Sequence, residues 1–280
     1  MAAVTSDELE TRAARRARRE ALESEPVLSP LATMPRPILA TTSALLAILL
    51  SLAAASDYAI LAAGLAAVGV ILAWGWPRLL GSPSRIGSSL AIGVAAVVAA
   101  VAVSFTDEPA YARFVPVALA AGLMVMFVHQ LVRRDGRPRL VQSTAITAFG
   151  IAVVTIGGML APVARTEDGQ RVVLAALAGA AAAAVAELGC GQATYRRVMW
   201  LAAMVLGALC ALGVVALYAA PVRAVDAVVG AVCAALAYPV QRILSVLPGI
   251  ASRRGQISAA AAGLLSIGVA ATTLSRALPL

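Results

Sequence analysis

Residues 129–140 read HQLVRRDGRPRL and lie between two long apolar runs. Four arginines, Arg133, Arg134, Arg137 and Arg139, crowd around a single acid, Asp135. Gly136 and Pro138 turn the chain, and His129 is the one histidine in the sequence. Arginine beside a membrane span is retained on the cytoplasmic side. This loop therefore sets the direction of the spans before and after it.

Composition agrees with a chain built for lipid. It is 61% hydrophobic and 13% charged, with a mean hydropathy of +0.90, whereas a soluble domain is about half apolar and about a quarter charged. The excess falls in runs close to the roughly 20 residues needed to cross a hydrocarbon core about 30 Å thick. The expected fold is all-α, a polytopic transmembrane helix bundle of about nine spans with its N-terminus in the cytoplasm. The spans are expected at 38–55, 58–76, 86–105, 112–132, 140–163, 172–188, 198–219, 222–244 and 257–274. Asp57 is placed to cap the second helix after a very tight turn, and Pro116 and Pro239 are read as interruptions of the fourth and eighth spans.

Counting arginines tests this threading. With the N-terminus inside, 17 fall on the cytoplasmic side and five, Arg113, Arg165, Arg171, Arg223 and Arg276, on the outer side. Every alternate loop obeys the positive-inside rule. All 22 basic residues are arginine, with neither lysine nor asparagine present, which we read as the imprint of GC-rich bacterial coding. A pI near 10.4 is thereby explained by topology, with anionic lipid headgroups as the expected partner and no nucleic acid. Trp74, Trp76, Tyr195 and Trp200 are expected to anchor at the inner interface.

Residues 1–36 form a charged cytoplasmic tail, and residues 37–280 the transmembrane domain. Thr5-Ser6-Asp7-Glu8 has the spacing of a capping box for a short helix. The tail is too long and too acidic for a signal peptide. Within the spans, Gly230 with Ala234 and Ala259 with Gly263 are spaced as small-xxx-small pairs, the packing device of helices in lipid. Cys190, Cys210 and Cys233 are odd in number, match no metal or redox spacing and read as structural. No metal site and no cofactor is expected.

Ionisable groups inside spans are functional candidates by default. Glu187 is the foremost, near the inner end of the sixth span. His129 and Gln130 lie at similar depth in the fourth, and a carboxylate beside an imidazole can relay protons or bind a cation. The bland alternative is that each rests against an interfacial arginine. Arg133, Arg134, Arg137 and Arg139 suit phosphate or anionic lipid. At the outer end Arg223 and Asp226, three apart on one helix, read as a local pair.

Asp135-Gly136 followed by Arg139 looks like the start of the signature of CDP-alcohol phosphatidyltransferases. The resemblance fails because Pro138 replaces the required alanine and no further aspartate follows until Asp168. The basic tail, the AWGWP sequence at 73–77 and the HQLVRRDGRPRL loop together resemble a group of uncharacterised actinobacterial multi-span membrane proteins, some labelled permeases. That resemblance implies a multi-pass protein of the cell membrane and carries no site residues. Three readings stay open: a permease-like carrier of a small solute or lipid-linked molecule, a scaffold for a membrane protein partner in the envelope, and a lipid-phosphate enzyme at the inner leaflet.

Overall fold

The computed structural model describes residues 35–106, 111–133, 139–191 and 198–277. The helix expected in the tail, and Arg134, Asp135, Arg137, Tyr195 and Arg196, lie outside these residues. Among the described residues there is no strand, and nine helices are long and apolar enough to cross a membrane.

Four spans run in the chain's first half: α1 (Pro37–Ser56), α2 (Tyr58–Leu79), α3 (Arg85–Ser104) and α4 (Val115–Val132). Pro37 opens α1, where its missing N–H costs no hydrogen bond. Asp57 accepts from the Ala59 N–H at 2.7 Å and caps α2. Pro116 falls in the first turn of α4, so it starts that helix where an interruption was expected.

The fifth span is α5 (Leu140–Gly158) continued by α6 (Leu160–Ala164). Then follow α7 (Gly169–Glu187), α8 (Met199–Tyr218) and α9 (Ala224–Ser245). Pro239 lies inside α9, which continues through it. The ninth span is α10 (Arg253–Ser266) continued by α11 (Gly268–Ala277), and Ser252 Oγ caps α10 by accepting from the Gly255 N–H at 3.0 Å.

Two groups of helices make the bundle. One gathers α2, α3, α4 and α5; the other gathers α7, α8 and α9; α1 and α10 lie between them and touch both. The alanine-rich α7 is the most enclosed span, with 83% of its apolar window buried. Small side chains are the reason, because they let neighbouring backbones close in. Gly230 of α9 meets both Gly179 of α7 and Gly207 of α8, and a Cβ on Gly207 would sit 2.6 Å from Ala234 Cβ. The Gly230 and Ala234 pair therefore does face a partner helix.

The fifth and ninth spans are each interrupted at one residue, Met159 and Ile267. Pro162 cannot donate to the Gly158 carbonyl, which ends the regular ladder there. The two interruptions touch: Gly268 is seated against the Ile156 carbonyl and leaves no room for a Cβ, and Gly157 lies against Leu265.

One interfacial anchor is corrected. Trp76 is buried, donates its indole N–H to the Ile146 carbonyl at 2.9 Å and packs on Phe149. Its hydrogen bond makes an interior site cheap. Trp74 and Trp200 are exposed, and Arg254 lies 4.4 Å from the Trp74 ring centre.

Candidate functional site

The chain's alternation defines two ends of the bundle. The arginine-rich end carries Arg36, Arg78, Arg85, Arg133, Arg242, Arg253 and Arg254. The opposite end carries Arg113, Arg165, Arg171, Arg223 and Arg276.

At the arginine-rich end the structure places His129 and Glu187 in different helix groups. His129 Nε2 is 2.8 Å from Ser84 Oγ, at the start of α3. Gln130, buried beside it, donates to Ser143 Oγ at 3.1 Å and accepts from Arg133 Nη1 at 3.0 Å. Thr147 donates to the Ser143 carbonyl and lies 2.7 Å from Ser88 Oγ, which reaches Ser82 Oγ at 3.2 Å. These groups form a hydroxyl-rich seam joining α3, α4 and α5. Arg139 is exposed.

Glu187 belongs to the other helix group. It is fully buried and accepts from Arg242 Nη1 of α9 at 3.2 Å. Arg36, just before α1, donates to the Ser245 carbonyl at 3.1 Å. Burial pulls the Arg36 pKa below its usual value; the Glu187 charge opposes that shift and the Arg242 charge adds to it. Gln241 is also fully buried, with Nε2 3.4 Å from Ser43 Oγ. Span four packs on α3 and α5, whereas span six packs on α1, α8 and α9. His129 and Glu187, at similar depth, therefore sit on helices that do not pack on each other, and Glu187 rests against an arginine.

At the opposite end the expected Arg223–Asp226 side-chain pair is replaced by two others. Asp226 is buried and takes a two-pronged contact from Arg171, Nε to Oδ1 at 2.6 Å and Nη2 to Oδ2 at 2.8 Å. Arg171 also donates to the Ala219 carbonyl at 3.1 Å and to the Pro221 carbonyl. Arg223 gives Asp226 only its backbone N–H, at 2.7 Å, and sends its guanidinium to Asp168 at 2.7 Å. A planar fork meeting a carboxylate inside the protein makes stronger bonds than a surface pair, so Asp226 goes to the helix beside it. Sequence reasoning missed Arg171 as a site residue. The available signal was an aspartate in the first turn of an apolar span, which needs a buried cation nearby.

A cavity of about 500 Å³ opens at the same end. It lies between α6 and α11, the two short pieces beyond the interruptions, and Arg113, Thr166, Glu167, Thr272, Ser275 and Arg276 supply its polar lining. Arg165 braces the rim: its guanidinium lies 4.3 Å from the Tyr58 ring centre and 4.2 Å from that of Tyr111, and donates to the Val103 and Thr106 carbonyls. Stacked aromatic rings and carbonyl bonds fix a guanidinium firmly.

Cys233 is buried and Cys210 exposed. Among the described residues no three His, Cys, Asp or Glu side chains gather as a metal site. No protein-family model matches the chain, and neither does any curated protein or any solved structure.

Proposed function

We propose that this chain is a multi-pass carrier of the cell membrane, with its arginine-rich end in the cytoplasm, moving a small charged or polar solute. One observation carries the reading: two interrupted spans touch at their interruptions and flank a cavity of about 500 Å³ lined by Arg113, Glu167 and Arg276. Interrupted helices flank the solute site of secondary carriers; here both hitches keep right-handed helical backbone and the cavity they flank lies at the end away from the arginine-rich one. The cavity is also within the size range of small-molecule pockets, about 300–1,000 Å³. A lipid-phosphate enzyme would need His129 and Glu187 in one place, and their separate networks count against it.

The test is a thermal-stability screen of the purified protein against small anionic and zwitterionic solutes. A true ligand at a hundred times its Kd stabilises by about 2.7 kcal/mol, and Arg276→Gln is expected to erase that gain. A screen without hits, or hits indifferent to Arg276→Gln, would overturn the reading.

Orientation has its own test. With the native cysteines removed, single cysteines replacing Arg253 and Arg276 are expected to label from opposite sides, Arg253→Cys from the cytoplasm. Labelling of that position from outside intact cells would reverse the topology.

A further inference from the structure

A second ligand site lies beside that cavity, with Thr166 lining both, and it does not rest on the carrier reading. α1 and α8 both pack on α7, and between them the face of α7 forms the floor of a groove. Leu177, Ala178 and Ala181 make that floor; Leu52 of α1 and Leu217 of α8 stand on the walls; the groove holds about 300 Å³. Small alanines at the floor leave a channel that larger residues would fill. Leu52 and Leu217 are exposed, so the groove opens toward the hydrocarbon.

Beyond the end of the groove lies a polar hollow of about 450 Å³, at the bundle end opposite the arginine-rich one. Asp168, Gln170, Arg171 and Arg223 line the hollow. The two lie end to end along α8: Tyr218 lines the groove and Ala219 the hollow. Arg171 and Ala178 are seven residues apart, hence on one face of α7 and separated by about 10 Å of rise. Gln170 ties the hollow to α1 by donating to the Ala54 carbonyl at 2.7 Å.

The charges select the headgroup. Arg171 is neutralised from behind by Asp226. The accessible charges are Arg223 and Asp168, 2.7 Å apart, with Arg223 43% exposed. A cation and an anion side by side at the mouth of an apolar groove complement a dipolar headgroup on an acyl chain. Guanidinium takes phosphate through paired hydrogen bonds, and a carboxylate accepts from a primary ammonium.

We infer that this groove and hollow bind one phospholipid with an amine-bearing headgroup, from the leaflet away from the arginine-rich end. Its phosphodiester lies on Arg223, its ammonium on Asp168, and one acyl chain along Leu177, Ala178 and Ala181.

Native mass spectrometry of the full chain in mild detergent tests this, with dioleoyl phosphatidylethanolamine, phosphatidylglycerol and phosphatidylcholine titrated separately. One phosphatidylethanolamine is expected to bind at a concentration roughly tenfold below the other two. Arg223→Gln and Ala181→Phe are each expected to weaken it by roughly tenfold. Asp168→Asn keeps the backbone conformation available and is expected to remove only the preference over phosphatidylglycerol. Unfolding midpoints close to that of the unaltered protein confirm that each variant is folded. Equal binding of the three lipids, variants that bind unchanged, or soluble phosphoethanolamine binding as tightly as the lipid would each overturn the assignment.

Discussion

Asp226→Ala is expected to destabilise the bundle by about 3–5 kcal/mol, because it strands the buried Arg171 guanidinium without its counterion. The loss includes the capping bond from the Arg223 N–H. Equilibrium unfolding in mixed micelles measures it. The double variant Arg171→Met with Asp226→Leu is expected to recover most of the loss, since apolar replacement of a whole buried ion pair is often neutral or better. If Asp226→Ala unfolds together with the unaltered protein, the pair does not hold α7 to α9.

Gly230→Val is expected to be the second most damaging change. The first added carbon would overlap the Gly207 carbonyl and Ala211 Cβ. Those are backbone and short side chains, which cannot swing aside. Overpacking of this kind costs about 1–3 kcal/mol and occasionally more, and here it would part α9 from α8. Gly213→Ala is the control on α8, because a Cβ there meets nothing within 4 Å. That variant is expected to stay within about 0.5 kcal/mol or to gain slightly from helix propensity. A Gly230→Val protein as stable as the Gly213→Ala one would refute the close three-helix contact.

The spans were legible because their signal is local. Apolar length, Pro37 and the Asp57 cap belong to the residues themselves, and the expected bounds lie within a few residues of those found. The interruptions were not legible. Pro116 and Pro239 drew attention, whereas the breaks fall at Met159 and Ile267. A one-residue hitch leaves an apolar run intact, and the seat of Gly268 against Ile156 is a contact between distant spans.

The site was legible by halves for the same reason. Glu187 stood out as an intramembrane acid, and its burial agrees with that. Its partner Arg242 depends on α7 lying beside α9, which no spacing in the sequence reveals. Arg171 read as a loop residue and lies buried inside the first turn of α7. Arg223 and Asp226 were close in sequence, yet each carboxylate and guanidinium found a partner 55 residues away.

The two ion pairs between α7 and α9 constrain how the molecule can rearrange. Arg171–Asp226 and Glu187–Arg242 share one offset of 55 residues, on helices that run the same way. The pairs lie 16 residues apart along each helix, about 24 Å of rise. Sliding α7 past α9 by a single turn would misalign both clasps together, with no gain from one to offset the other. These helices are thereby pinned in register, with α8 packed against both.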